Sequence, residues 1–290
     1  MDDFQSYRPL LFSIAYRMTG SASEAEDIVQ ETFLRARAAA PADLRSAKAY
    51  LSTITSRLCL DYLKSARAQR EQYIGPWLPE PLLTVDFAPE LAAVERRDTI
   101  STAFLVLLEA LSPPERAVFL LREVFEYEYG EIAAMLGLSQ ANCRQLFHRA
   151  QTRLAERRPR FEPSREAQTR LVERFMRACG EGDVGALADV LAQDVTAWSD
   201  GGGKVTAARN PIYGRDNVIR LLFGTLQKAG TIRASLLELN GGPAILLFSD
   251  DILISATTFT IVDGCILGMH IVRNPDKLGY LEQQLRVIGE

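Results

Sequence analysis

The chain has 290 residues, 47% of them hydrophobic and 24% charged, which is enough apolar material for two or three cored domains and excludes a disordered polypeptide. A net charge of -4 excludes a global positive field, so contact with nucleic acid must rest on local patches whose grip is modest and salt-sensitive. Four dispersed cysteines (Cys59, Cys143, Cys179, Cys265) and two histidines form no metal-ligand or disulfide spacing, and no apolar run reaches membrane-spanning length. Buried thiols, no cofactor and a cytoplasmic location are therefore expected.

Residues 1–71 lack strand alternation and predict three helices, about Asp3 to Met18, Ser23 to Ala39 and Ala47 to Glu71. Ser23 with Glu26 reads as a capping box that starts the second helix, and Ala25, Ile28, Val29, Phe33 and Ala36 form its buried stripe. The opposite face carries Asp27, Gln30, Glu31 and Leu34, an exposed leucine framed by acids, as a partner helix would want and a solvated surface would not. The third helix buries Leu51, Ile54, Thr55, Leu58 and Tyr62, while Arg57, Asp61, Lys64 and Arg67 recur on a second face suited to phosphates or to solvent. The loop Ala40 to Ser46 before it could hold a base extruded from a duplex.

A linker follows over residues 72–98, acidic overall, with a proline-rich run Gly75-Pro-Trp-Leu-Pro-Glu-Pro81 that must be extended rather than helical. Residues 99–160 form a second helical block, with Pro114 to Phe125 packed behind a helix, a three-residue turn and a second helix over Tyr129 to His148. Gly137 is the turn glycine, and Ala133 is the small residue four places earlier where the helices nearly touch. Ile132, Leu136, Leu138, Cys143 and Leu146 fill the inner face, and Ser139 caps the second helix. Outward stand Gln140, Asn142, Arg144, Gln145, His148 and Arg149, amides and guanidinium groups that pair with purine edges in the major groove, with Arg153, Arg157 and Arg158 trailing toward phosphates.

From Ser164 the pattern changes to two or three helices followed by strands at Ala244 to Phe248, Ile252 to Val262 and Cys265 to Val272, giving an α+β domain over 164–290. Asp200-Gly201-Gly202-Gly203-Lys204 lacks the glycine and hydroxyl of a phosphate loop and reads as a tight turn open to close backbone approach. This turn, with Lys204, is the expected intramolecular contact for the acidic linker or the helical domains. Asn274-Pro275 ends a strand and aims a last helix, Asp276 to Val287.

The segments S-E-A-E-D-I-V-Q-E-T-F-L-R, A-Y-L-S-T-I-T-S-R-L-C-L-D-Y-L-K and F-H-R-A-Q-T-R-L over residues 1 to 160 resemble the bacterial extracytoplasmic-function sigma factors. The runs W-L-P-E-P, D-G-G-G-K and N-P-D-K-L resemble the branch that carries a fused SnoaL-like, NTF2-like domain. The resemblance implies two all-α sigma domains and a cone-shaped α+β domain. Asp27, Gln30, Glu31 and Leu34 match the surface that grips the clamp helices of the largest RNA polymerase subunit, and the flap of the second-largest subunit is the second expected contact. Arg45, Ser46, Lys48, Arg57, Lys64 and Arg67 match the part that opens and reads the -10 element; Ser139, Gln140, Asn142, Arg144, Gln145, His148 and Arg149 match the -35 readers. Tyr50 and Arg57 depart from the Trp and Asn of many relatives.

The resemblance also implies regulation in cis through Trp77, Leu78, Pro79, Glu80, Pro81, Asp200, Gly201, Gly202, Gly203, Lys204, Asn274, Pro275, Asp276, Lys277 and Leu278, with the C-terminal domain holding the DNA-reading domains in a compact arrangement. A monomer is expected, with promoter DNA and core polymerase as partners. Trp198, Asp200, Lys204, Tyr213, Thr258, His270 and Arg273 are candidates to line a C-terminal pocket for a small molecule. Two other classes share part of the pattern: a ligand-responsive repressor, and an enzyme using Asp200 or His270 as base.

Overall fold

The computed structural model describes residues 2–39, 46–70, 72–83, 100–155, 164–227 and 230–289. Residues 40–45 of the expected loop, residues 84–98 of the linker, the first residue of the second helical block, and Arg157 and Arg158 lie outside the described residues. The chain divides into two compact units, one built mainly on Met1–Gln72 and Phe104–Arg158, the other on Tyr73–Val85 and Pro159–Glu290.

The first unit is helical: α1 (Arg8–Thr19), α2 (Ala22–Ala39), α3 (Ala47–Arg70), α4 (Thr102–Leu108), α5 (Pro113–Glu123), α6 (Tyr129–Leu136) and α7 (Gln140–Ala155). Leu11, Val29, Ala36 and Leu51 from α1 to α3 share one core with Phe12, Phe33 and Ile54. Two details differ from the sequence reading. Helix α2 begins at Ala22, with the Ser21 hydroxyl accepting the Glu24 amide at 3.2 Å, so the cap precedes Ser23. Helix α3 buries Ser52, Thr55, Ser56, Cys59 and Leu63 along with Leu51, while Ile54, Leu58 and Tyr62 are only half-buried. Small side chains let neighbouring backbones come close, and two of these hydroxyls are paired across the helices. Thr55 shares a hydrogen bond with Thr32 at 3.0 Å, and Ser52 shares one with the Tyr127 hydroxyl at 2.8 Å.

The second unit is α+β: α8 (Arg165–Glu181), α9 (Val184–Val190), β1 (Leu191–Asp200), β2 (Ile212–Tyr213), α10 (Arg215–Leu226), β3 (Arg233–Leu239), β4 (Gly242–Ser249), β5 (Ile252–Val262), β6 (Cys265–Val272) and α11 (Pro275–Gly289). The sheet runs β2-β1-β6-β5-β4-β3; β1 and β6 are parallel and every other pair is antiparallel. The expected strands are β4, β5 and β6. Strand β1 escaped the sequence reading because its pairing shifts between Leu191 and Thr196, where the polar Gln193 and Asp194 break the alternation.

Side chains alternate across a sheet, so its two faces have different neighbours. Ala197, Met269, Phe259 and Ile245 join Val172, Phe175 and Val218 of the helices in one apolar core, with Phe175 and Phe259 edge-to-face at 5.5 Å. Trp198, His270 and Thr258 pair across β1, β6 and β5 one position away, so they occupy the opposite face. Of the candidate pocket residues, Trp198, Asp200, Thr258 and His270 therefore lie on the sheet face turned away from the apolar core of α8 to α10.

Candidate nucleic-acid interface

Gly137 ends α6 in a left-handed conformation (φ 68°), and the Ser139 hydroxyl accepts the Asn142 amide at 3.2 Å, as the turn chemistry requires. The inner face buries Ile132, Ala133, Met135, Cys143 and Leu146; Leu136 and Leu138 are half-buried, with Met135 taking the deeper place. Ser139, Gln140, Asn142, Arg144, Gln145, His148 and Arg149 are all exposed on α7. The structure thus brings the predicted base-reading set onto one open helix face.

Three residues around this face were missed in the sequence, although Ser112 with Glu115 three places on carries the spacing of a capping box. Glu115, almost fully buried in the Ser112 capping box of α5, accepts hydrogen bonds from the Ser112 amide and hydroxyl and from Arg153 at 2.6 Å, and pairs with Arg149 at 3.3 Å. Burial opposes its ionisation, but the Ser112 hydrogen bonds and then Arg153 and Arg149 outweigh it and hold the carboxyl below its ordinary range. Arg149 is accordingly tied to α5. Tyr129, at the start of α6, lies between the guanidinium groups of Arg122 and Arg144 at 5.1 and 5.3 Å from its ring centre. Tyr127 shares its hydroxyl with Ser52, lies under the Lys48 ammonium at 5.2 Å, and has its own ionisation pushed up by burial.

The α2 face is open as expected: Asp27 and Gln30 are exposed, Glu31 pairs with Arg35 at 2.7 Å, and Leu34 is 62% exposed. The predicted -10 residues are placed less uniformly. The Ser46 hydroxyl accepts the Ala49 amide as the cap of α3, and Lys64 is exposed beside Asp61. Arg57 donates to the carbonyls of Met135 at 2.8 Å and Ala134 at 3.4 Å, at the C-terminal end of α6 where helix carbonyls lack partners. Arg45 and the side chain of Arg67 lie outside the described residues.

In the second unit the three short motifs come together. Asp200 is fully buried and accepts from the Tyr73 hydroxyl (2.6 Å), the Leu78 amide (2.8 Å), the Gly202 amide (3.1 Å) and the Lys277 ammonium (2.7 Å). Lys277 also donates to the Leu78 carbonyl at 2.5 Å and sits 4.1 Å from the Trp77 ring centre and 4.9 Å from that of Tyr73. Burial, then the hydrogen bond to Asp200, pushes the Tyr73 hydroxyl's pKa up. Gly202 and Gly203 have φ of 57° and 72°; a Cβ would lie 2.3 Å from the Asn274 side chain at the first and 2.8 Å from Ile74 at the second. Leu278 is buried as well, while Pro275 and Asp276 at the start of α11 are exposed. Lys204 pairs with Asp276 of α11.

His270 stacks on Trp198 with ring centres 5.0 Å apart, and burial alone lowers its pKa to about 4. Tyr213 is exposed and Arg273 donates to the Thr206 carbonyl. The four cysteines are free, with Cys59 and Cys143 buried, and burial pushes the Cys179 thiol up to about 12. No helix among the described residues is long and apolar enough to cross a membrane.

An open recognition helix, a helical triad with an acid-framed leucine and an intervening extended linker define a transcription initiation factor. The Sigma-70 region 2 family matches residues 4–69 and Sigma-70, region 4 matches residues 101–154. The chain belongs to the extracytoplasmic-function (ECF) sigma factors of RNA polymerase. It is 36% identical over 289 residues to the ECF RNA polymerase sigma factor SigJ of Mycobacterium tuberculosis (strain ATCC 25618 / H37Rv), covering 96% of this chain and 92% of that protein. It is 34% identical over 288 residues to the probable ECF RNA polymerase sigma factor SigI of the same organism, covering 97% and 96%. The crystal structure of M. tuberculosis SigJ superposes with a TM-score of 0.77 at 32% identity, over 96% of this chain and 98% of that one.

Proposed function

We infer that this sigma factor grips the clamp helices of the largest polymerase subunit with Asp27, Gln30, Glu31 and Leu34, and meets the flap of the second-largest subunit through residues 99–160. It reads the -35 element with Gln140, Asn142, Arg144, Gln145 and His148, which Ser139 and Arg149 hold in place. Arg45, Ser46, Lys48, Arg57, Lys64 and Arg67 serve the -10 element. The observation that carries this reading is the shared exposure of the α7 polar face and of Leu34. Neither reading surface is strongly basic, so each binds weakly alone, and polymerase makes them selective by holding both at promoter spacing. Strand opening proceeds by trapping unstacked bases. The protein acts in the cytoplasm as a monomer, with no cofactor.

The domain over residues 164–290, which resembles SnoaL-like and NTF2-like proteins, modulates this activity in cis through residues 72–98. Support comes from the convergence of Asp200, Asn274 and Lys277 on Tyr73 to Leu78. A catalytic role is disfavoured: the Asp200 carboxylate already accepts four donors and His270 lies buried against Trp198. The test is run-off transcription with core polymerase. Leu34→Arg should abolish the transcript while leaving the α7 face intact, and a double variant at Asp200 and Lys277 should change its yield. Full transcription by Leu34→Arg overturns the polymerase contact, and unchanged yield from the double variant overturns the cis regulation.

A further inference from the structure

The second unit treats residues 78–83 as a receptor treats a peptide. Residues 78–83 are buried throughout, and the segment's main chain is held by groups far away in sequence. At Leu78, Asp200 takes the amide and Lys277 donates to the carbonyl. At Leu82, Asn240 does both jobs: its side-chain oxygen accepts the amide at 3.2 Å and its own amide donates to the carbonyl at 2.9 Å. At Leu83 the Gln284 side chain accepts the amide at 3.1 Å, and the residue forms an antiparallel bridge with Leu239 at the end of the edge strand β3. Extending a sheet edge with an extended chain is a common mode of peptide recognition.

The composition of the segment completes this pattern. A buried extended chain is costly wherever an amide lacks an acceptor. Between Leu78 and Leu82 the chain places Pro79 and Pro81, which have no amide to satisfy and favour extended backbone. The receptor groups Asp200, Asn240 and Gln284 thus supply side-chain acceptors for leucines on either side of the two prolines. Asn240 is held for its double role at a positive φ of 51°, in the turn between β3 and β4. Beside the groove, Trp77 and Tyr73 face the Lys277 ammonium, so an aromatic residue just before the first leucine is part of what is read.

We propose that the C-terminal domain is a peptide-binding module for an extended, proline-bracketed leucine segment of the pattern aromatic-Leu-Pro-X-Pro-Leu-Leu, with the chain's own linker as its tethered ligand. A free peptide of the same sequence therefore exchanges with the tethered copy. The proposal names a ligand class and stands whether or not the domain governs transcription, because its readout is binding alone.

The test uses the full-length chain and a fluorescent synthetic peptide spanning residues 73–85. The tether competes at high effective concentration in the intact protein, so peptide binding to it is weak. A chain carrying Leu82→Pro, which removes the amide that Asn240 accepts, should bind the free peptide at least tenfold more tightly than the intact chain. Its melting temperature should rise on peptide addition. A peptide carrying Leu78→Pro should bind at least tenfold more weakly than the parent peptide, as should the parent peptide to a Leu82→Pro, Asp200→Asn chain. In case Leu82→Pro does not fold alone, amide hydrogen exchange is followed in the intact protein. Excess unlabelled peptide should speed exchange at Leu78, Leu82 and Leu83. Binding no stronger than that of a scrambled peptide, together with unchanged exchange at these three amides, overturns the proposal.

Discussion

Arg57 of α3 donates its Nε–H to the carbonyl of Met135, 2.8 Å away at the end of the first helix of the helix-turn-helix. The same guanidinium belongs to the face proposed to meet the -10 element, so it cannot serve both partners at once. Arg57→Ala should lower the urea-unfolding stability of the helical unit by about 1 kcal/mol, the usual worth of such a hydrogen bond at a partly exposed site. A -10 oligonucleotide that protects Arg57 should weaken the packing of α3 against α6, read as faster amide exchange in α6. Unchanged exchange in α6 at saturating oligonucleotide would contradict the shared use of Arg57.

Glu115 ties α7 to α5 through Arg149 and Arg153. Glu115→Gln should cost roughly 1–2 kcal/mol, less than a fully buried pair because both arginines are half-exposed. The native carboxyl lies below its ordinary range, so its stabilisation is complete above the unfolded pKa and is lost as pH falls through the folded one. Denaturation of wild type and Glu115→Gln should therefore converge in acid. Arg149→Ala should weaken -35 binding to all sequences alike, whereas Gln145→Ala or Arg144→Ala should relax base preference by about 1–3 kcal/mol.

Asp200 and Lys277 form a buried pair with 0% and 9% side-chain exposure. Removing one partner strands the other, so Asp200→Asn or Lys277→Met alone should cost about 3–5 kcal/mol. The double variant should cost clearly less than the sum of the two. Additive losses in thermal denaturation would show that the pair is not a unit.

His270 makes the second unit acid-sensitive. Its folded pKa, about 4, lies below the ordinary 6.5, so the unfolded chain binds the extra proton between those values. Stability from this residue is full above pH 6.5 and declines toward pH 4, by up to about 3 kcal/mol. His270→Phe should flatten that part of the profile, followed by tryptophan fluorescence in urea. An unchanged slope between pH 6.5 and 4 would contradict the buried neutral imidazole.

Elements governed by local chemistry were legible in the sequence. Gly137, Ser139 and the 3.6-residue spacing defined the helix-turn-helix, and runs of β-branched residues defined β4 to β6. The composition of W-L-P-E-P correctly implied extended backbone. What stayed hidden depends on long-range partners. Ser52 and Thr55 in a buried stripe make sense only with Tyr127 and Thr32 in place, and the function of Asn240 and Gln284 is set by a linker more than 150 residues earlier in the chain. The Lys204–Asp276 ion pair was hidden for the same reason, because only the folded turn brings residues 204 and 276 together.

The central claim is that two weak readers become selective only in the grip of polymerase. Promoter affinity measured with and without core polymerase, on templates with the natural spacer and with five base pairs inserted, tests it most directly. The account predicts near-nonspecific binding by the free chain at either spacing, and tight binding with polymerase that the insertion abolishes. Tight, sequence-specific binding by the free chain that polymerase leaves unchanged would contradict it.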